Sequence, residues 1–220
     1  MRKGFFWFLI LLALSGCQSK PSRPETSPVK PVLPVRDRGL YPVIVAFGDS
    51  LTAGSGVTME QAYPAQLQAL LDEAGYSYRV VNAGIGGNTT SDALGRVQTV
   101  IDQIPRLVIL ELGANDGLRG QPIPPVRQNL QNLIERLQAS DTEVVLAGMH
   151  IPPNYGPEYS EQFHQLYVDL AKKYHLTLIP FFLEKVAGHP ELNLEDGIHP
   201  TAQGYRIVAR TVFDAIKPLL

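Results

Sequence analysis

Cysteine is nearly absent from this chain of 220 residues, which contains only Cys17. A single cysteine excludes an intramolecular disulfide, so the fold has to be stabilised by its hydrophobic core alone. Tryptophan is equally scarce, and its one copy, Trp7, lies near the N-terminus. With 45% hydrophobic and 18% charged residues, the chain has the composition of a globular protein. Its length is that of one domain, large enough to bury a core.

An excess of positive charge is also missing. The formal net charge is −2 at pH 7, and removing Arg2 and Lys3 with a leader lowers the basic count to 17 against 21 acidic residues, or −4. Proteins that bind nucleic acids or anionic membranes through their surface carry basic patches. We therefore expect no nucleic-acid partner, and we expect the protein to be a monomer.

No apolar run is long enough to cross a membrane. The longest, residues 5–14, has ten residues, whereas a spanning helix needs about 20. Because Arg2 and Lys3 precede this run and Leu14-Ser15-Gly16-Cys17 follows it, we predict a lipoprotein signal peptide over residues 1–16. The tetrapeptide resembles the bacterial lipobox, which predicts lipidation of Cys17. Ordinary cleavage beside an incidental cysteine is the alternative.

Residues 17–39 contain five prolines at near-regular spacing, Pro21, Pro24, Pro28, Pro31 and Pro34. Pro-rich segments are extended and do not pack, so we predict a tether between the lipidated cysteine and a domain at 40–220. These features predict an exported bacterial lipoprotein that faces the periplasm and is anchored in the membrane by its acyl chains. Gln18-Ser19 lacks the aspartate associated with inner-membrane retention, which favours the outer membrane.

From residue 40 onward, short apolar segments alternate with segments whose apolar residues have helical spacing. The predicted strands are 42–47, 79–82, 107–111, 143–147 and 176–180, and the helical patterns lie at 65–71, 97–104, 130–137, 163–170 and 207–216. Such alternation predicts an α/β fold with a parallel sheet covered on both faces. Ligands bind beyond the carboxyl ends of the strands in such sheets. The loops after the first four strands should therefore meet at one edge.

The loop after the first strand is Gly48-Asp49-Ser50-Leu51-Thr52. We expect Gly48 to supply the unusual dihedral angles of a sharp turn between strand and helix, which would present Ser50 as a nucleophile. The alternative is that this segment merely caps the helix, and we assign that structural role to Asp49. The nucleophile elbow of α/β-hydrolases is not matched, because Thr52 stands where its second glycine belongs.

A carboxylate and an imidazole follow near the C-terminus in Asp196-Gly197-Ile198-His199-Pro200. A histidine that takes a proton from serine must be held in one tautomer by an acceptor on its other ring nitrogen. Asp196, three residues before His199, can provide that acceptor. A helix-capping aspartate beside a surface histidine is the alternative.

Two further loops contain groups that can stabilise an oxyanion. Asn115 offers a side-chain amide, Gly87 offers an unobstructed backbone N–H, and the N–H of Ser50 is a third donor. For the glycine-rich loop 84–89, a plain turn and a dinucleotide-binding loop are alternatives. The latter is disfavoured because the third glycine of that fingerprint is missing and the loop follows the second strand.

Taken together, these segments resemble in order the four blocks of the SGNH (GDSL-type) hydrolases, and most of all their bacterial branch of periplasmic acyl-CoA thioesterase/lysophospholipase and arylesterase. The chain shares with that branch the segments Glu111-Leu112-Gly113, Asn115 to Gly120, Asn154-Tyr155-Gly156 and Pro180-Phe181-Phe182. The resemblance implies a flavodoxin-like three-layer α/β/α sandwich with a five-stranded parallel sheet, and no metal or organic cofactor. It also implies Ser50 as nucleophile, Asp196 and His199 as its partners, and Gly87 and Asn115 as oxyanion donors, with Gly86 as a second candidate for the glycine.

These residues predict a hydrolase of carboxylic esters or thioesters that forms an acyl-enzyme on Ser50. Leu118, Ile151 and Tyr155 are the expected substrate-binding walls, and His150 could line the pocket without a catalytic role. An envelope polysaccharide deacetylase is an alternative, although the lone tryptophan lies in the leader and sugar sites favour exposed aromatics. A catalytically silent, lipid-anchored binding protein is the alternative from another class.

Overall fold

The computed structural model describes residues 41–220 together with Met1. The predicted signal peptide, Cys17 and the Pro-rich tether lie outside the described residues. Among the helices of the described part, none combines the length and the apolar character that a membrane span requires.

Five strands and seven α-helices follow one another in the described part of the chain. The strands are β1 (Val43–Gly48), β2 (Arg79–Gly84), β3 (Pro105–Glu111), β4 (Glu143–Ala147) and β5 (Thr177–Ile179). The helices are α1 (Ser50–Ala53), α2 (Tyr63–Glu73), α3 (Thr90–Ile101), α4 (Ala114–Leu118), α5 (Ile123–Gln138), α6 (Pro157–Tyr174) and α7 (Ala202–Ile216).

All strand pairs are parallel, and the strand order is β2-β1-β3-β4-β5. This is the flavodoxin-like order of doubly wound sheets, so the predicted fold class is confirmed. Every residue of β1 is buried, whereas β2 at the edge of the sheet is only partly covered. The difference explains why β1 is continuously apolar and β2 tolerates Asn82.

Helices cover both faces of the sheet. Helices α2 and α7 pack against each other, as do α3 and α5 and then α5 and α6. With right-handed crossovers, the first pair lies on one face and the other three helices on the opposite face. The core is one cluster of apolar side chains between these layers.

The boundaries of helix α3 differ from its apolar pattern, and a polar cap sets its first residue. Helix α3 begins at Thr90 because Thr89 and Asp92 form a reciprocal capping box. It ends at Ile101, and Ile104, which we expected at its end, is 87% exposed with a φ of 49°. The prediction that the helix extends through residue 104 was therefore wrong at its C-terminal end.

Candidate active site

A cavity of about 940 Å³ lies at the carboxyl edge of the sheet, where the loops after β1, β2, β3 and β4 meet. Ser50 and His199 both line it, although 149 residues separate them in the chain. The remaining lining comprises polar residues of the loops and apolar side chains, namely Asp49, Leu51, Ser55, Gly86, Gly87, Ala114, Asn115, Leu118, Met149, His150, Ile151, Pro152, Phe181, Leu183, Ala187, Gly188, Gly197 and Ile198.

Ser50, His199 and Asp196 form a continuous hydrogen-bonded chain. Ser50 Oγ lies 2.9 Å from His199 Nε2, and His199 Nδ1 lies 2.7 Å from Asp196 Oδ2. Because a carboxylate only accepts hydrogen bonds, Nδ1 carries the proton and Nε2 accepts from the Ser50 hydroxyl. This is the arrangement in which a histidine can act as general base toward serine.

A tight loop places the carboxylate and the imidazole together. An antiparallel bridge between Asn193 and Pro200 closes this loop. Asp196 Oδ1 accepts the backbone N–H groups of Ile198 and His199, both at 3.0 Å. The hydrogen bond from the His199 ring and these two N–H groups lower the pKa of Asp196 to about 2. Asp196 is therefore ionised at neutral pH and can stabilise an imidazolium on His199.

The turn that carries Ser50 requires glycine at position 48 for reasons of space. A Cβ on Gly48 would overlap Thr52 Oγ1 and Glu111 Oε2 and would lie 2.6 Å from the backbone oxygen of Glu111. The φ of Gly48 is not in the left-handed region, so our expectation that this glycine supplies unusual dihedral angles was wrong. Asp49 caps the single-turn helix α1 by accepting the N–H of Leu51 at 3.0 Å.

Two buried acidic side chains lie directly behind this turn. Glu111 Oε2 accepts hydrogen bonds from the Thr52 hydroxyl at 2.7 Å and from the Asp49 N–H at 3.3 Å. Burial raises the pKa of Glu111 well above its usual range, and burial also raises the pKa of Asp49, to about 6. From the sequence, Glu111 was noted only as part of the shared segment Glu111-Leu112-Gly113. The signal for its role was an acidic residue at the end of an otherwise apolar strand.

The predicted oxyanion donors Gly87 and Asn115 both line the cavity. Gly87 has a φ of 78°, and Gly86 also lines the cavity, so both glycines stay candidates. The Asn115 side-chain amide donates to Asp49 Oδ2 at 3.0 Å and to the Asn88 carbonyl at 3.1 Å. These bonds fix the orientation of the amide. Because both of its N–H groups already have an acceptor, an oxyanion would have to share one N–H group with Asp49 or with the Asn88 carbonyl.

Of the predicted walls, Leu118 and Ile151 line the cavity and Tyr155 does not. The Tyr155 hydroxyl donates to the Leu118 carbonyl at 3.3 Å, its ring packs edge-on against Tyr159, and the side chain is 52% exposed. The structure thus connects the Tyr155 side chain to the Leu118 carbonyl, and a direct contact of Tyr155 with substrate stays a prediction.

Four further apolar side chains of the cavity were not assigned to substrate binding from the sequence. Phe181, Leu183, Ala187 and Ile198 all line the cavity. His150 also lines it, and its ring packs at a tilt against that of His164 and edge-on against that of Phe181, at centroid distances of 3.9 and 4.6 Å. The expectation that His150 could line the pocket therefore agrees with the structure, and Phe181 was quoted from the sequence only as part of the shared segment Pro180-Phe181-Phe182. Within residues 41–220, no group of three or more His, Cys, Asp or Glu residues is arranged to hold a metal ion.

A hydrogen-bonded Ser–His–Asp set beside a cavity at the carboxyl edge of a flavodoxin-like sheet is the arrangement of a serine hydrolase. The sequence profile of the GDSL-like Lipase/Acylhydrolase family matches residues 46–207. The chain belongs to this family, as its four sequence blocks predicted.

Relatives of known sequence and structure agree with this assignment. The chain is 40% identical over 178 residues to Esterase TesA of Pseudomonas aeruginosa, covering 80% of this chain and 89% of that protein. It is 36% identical to thioesterase 1/protease 1/lysophospholipase L1 of Escherichia coli K12, covering 80% and 84%. A crystal structure of TesA superimposes with a TM-score of 0.78 at 40% identity, covering 81% of this chain and 99% of that one.

Proposed function

We propose that this protein hydrolyses carboxylic esters or thioesters with an apolar acyl or aryl group through an acyl-enzyme on Ser50. The observation that carries the proposal is the continuous chain from the Ser50 hydroxyl through His199 to Asp196 at the wall of the cavity. Ser50, His199 and Asp196 all belong to the same polypeptide, so the proposed reaction needs no residue from a second subunit, and we propose that the enzyme is a monomer.

In the proposed reaction, His199 Nε2 takes the proton from Ser50 as Oγ attacks the acyl carbonyl carbon. Asp196 holds the imidazole in the required tautomer and stabilises the imidazolium. The negative oxygen of the tetrahedral intermediate accepts the N–H groups of Ser50 and Gly87 and one N–H of the Asn115 amide. His199 then protonates the leaving group, and water releases the acyl group from Ser50 by the reverse sequence of proton transfers.

The cavity supports an apolar substrate. Leu118, Ile151 and Phe181 contribute to its lining, together with Met149, Leu183 and Ile198. Cavities of this kind bind by removing apolar surface from water, with a few polar groups fixing orientation. We therefore infer that aryl esters and short to medium fatty esters or thioesters are the substrates. The TesA and E. coli relatives, named esterase and thioesterase/lysophospholipase, support the same reaction class.

The test is turnover of p-nitrophenyl acetate by the Ser50→Ala variant. We expect a loss of at least about 10³-fold in kcat because the nucleophile is absent. The matched control is Ser140→Ala. Ser140 precedes β4 and therefore lies at the amino edge of the sheet, opposite the cavity, where its hydroxyl donates to the Leu137 carbonyl. Circular dichroism checks that both variants are folded. If Ser50→Ala keeps a tenth of the wild-type kcat, the mechanism is wrong and a binding role has to be considered again.

A substrate panel then separates the remaining acyl donors. Aryl acetates, longer p-nitrophenyl esters, acyl thioesters and lysophospholipids are compared by kcat/KM. Acetylated polysaccharide is included as the substrate of the deacetylase alternative, and we expect aryl and fatty acyl substrates to be hydrolysed faster than it. The reverse order would favour the deacetylase alternative.

We also propose that the mature protein is a lipoprotein held at the periplasmic face of the outer membrane by acyl chains on Cys17, with residues 17–39 as its tether. The tetrapeptide Leu14-Ser15-Gly16-Cys17 and the regular prolines support this proposal. Cys17→Ser should release the protein from the membrane fraction or block its processing. An unchanged fractionation pattern would contradict the lipid anchor.

A further inference from the structure

Arg96, on helix α3, lies half-buried beneath the loops that carry the proposed nucleophile and oxyanion donors. All three nitrogens of its guanidinium donate short hydrogen bonds, two to the ends of β1 and β2 and one to the loop after β2. Nε donates to Asn88 Oδ1 at 2.7 Å, Nη1 to the Ala83 carbonyl at 2.8 Å, and Nη2 to the Gly48 carbonyl at 2.7 Å. Its charged group also lies 4.5 Å from the centre of the Phe47 ring, a distance at which the cation is attracted to the ring.

One of these bonds acts on the peptide unit that leads to Ser50. The Gly48 carbonyl and the Asp49 N–H belong to the same planar peptide group. The Gly48 oxygen accepts from Arg96 and also from the Ile85 N–H at 3.2 Å, and Glu111 accepts the Asp49 N–H. The peptide is thus held by α3, by the start of the loop after β2 and by the end of β3, immediately before the serine.

The other two bonds act on the end of β2 and on the glycine-rich loop that follows it. Ala83 lies beside Phe47 in the register of the sheet, so one guanidinium joins the ends of two neighbouring strands. The Asn88 side chain accepts from Arg96 while the Asn88 carbonyl accepts from Asn115. Arg96 is therefore connected through one residue to the side-chain amide that is proposed to donate to the oxyanion.

We propose that Arg96 is a positioning residue that holds the Ser50 turn and the oxyanion loop in register with each other. Arg96 is not among the residues that line the cavity, so it acts through Gly48, Ala83 and Asn88 and does not touch the substrate. The inference rests on the proposed serine esterase activity. An arginine is required because its planar fork reaches three acceptors at once, whereas a lysine is a single point of charge.

The test compares Arg96→Lys with Arg136→Lys. Lysine keeps the positive charge near Asp49 and Asp92 but loses the fork, so the variant isolates geometry from charge. Arg136 is the matched control because it is exposed and donates to the Leu94 carbonyl and to Gln98 Oε1, both at 3.4 Å, away from the cavity. Kinetics with p-nitrophenyl acetate are measured well below the melting temperature of every variant.

We expect Arg96→Lys to lower kcat by about 10- to 100-fold with KM within threefold of wild type, since small misplacements of reacting groups reduce rates on this scale. The pH midpoint of kcat/KM should stay unchanged because the charge is kept. Arg136→Lys should stay within twofold in kcat. Arg96→Met removes the charge as well and should lose at least as much activity.

Three results would overturn the inference. The first is a loss of kcat in Arg96→Lys that is smaller than about 10-fold, whatever the melting temperature of the variant. The second is a rise in KM that accounts for the lost kcat/KM. The third is an equal loss in Arg136→Lys. Failure of the proposed function itself looks different, because wild type and Ser50→Ala would then turn over the ester equally.

Discussion

Adding one methyl group at Gly48 perturbs the nucleophile turn without touching any polar group of the proposed mechanism. The new Cβ would overlap Thr52 Oγ1 and Glu111 Oε2 and would lie 2.6 Å from the backbone oxygen of Glu111. A side chain could rotate away, but the Glu111 backbone belongs to strand β3 and is fixed by the sheet. The turn therefore has to move away from the strand.

The cost follows from overpacking a buried site, which is about 1–3 kcal/mol. For a domain of this size, that lowers the melting temperature by about 2–12 °C. Ser50 lies only two residues along the chain, so a displacement of the turn also separates Oγ from His199 Nε2, now 2.9 Å away. We expect kcat to fall by about 10²-fold.

Gly95→Ala is the matched control because it makes the same chemical change in the middle of helix α3. A Cβ at Gly95 meets nothing within 4 Å. Alanine there should stabilise the protein by about 0.5–1 kcal/mol through its better helix propensity, and kcat should not change. Thermal unfolding and p-nitrophenyl acetate kinetics measure both variants. If Gly48→Ala matches wild type in melting temperature and kcat, the argument from space at this turn is refuted.

Three further predictions concern the site. Asn115→Ala should lower kcat by about 10²–10³-fold in steady-state assays, and an unchanged kcat would remove Asn115 from the oxyanion site. Because the folded pKa of Asp196 is about 2, below its ordinary value of 3.8, its contribution to stability should be present above about pH 4 and lost as the pH falls through 2. Denaturant unfolding of wild type and Asp196→Asn as a function of pH measures this, and a stability difference that persists at pH 2 would contradict it. Tyr155→Phe should leave kcat and KM within about twofold, whereas Leu118→Ala should raise KM for longer acyl chains. A larger effect of Tyr155→Phe would place that side chain in the cavity after all.

The sequence by itself determined the fold class, the family and the residues of the proposed reaction. Apolar runs such as 43–47 mark strands buried on both faces, and the spacing of apolar residues marks the helices, so alternation alone predicted the parallel sheet. The parallel sheet in turn predicted that Ser50, Gly87 and Asn115 meet at one edge, because carboxyl ends of parallel strands share an edge. Asp196 and His199 could be paired because they lie only three positions apart in the chain.

Only the tertiary structure decided which side chains support this site. Arg96 and Glu111 have no local pattern that relates them to Ser50, since their contacts with Gly48 and Asp49 cross 48 and 62 residues of chain. Tyr155 is not among the residues that line the cavity although its loop borders it, and Gly48 is required by what packs against it and not by its own dihedral angles. Periodicity and motifs report the backbone path, whereas the direction of a side chain and the space around it depend on packing between distant segments.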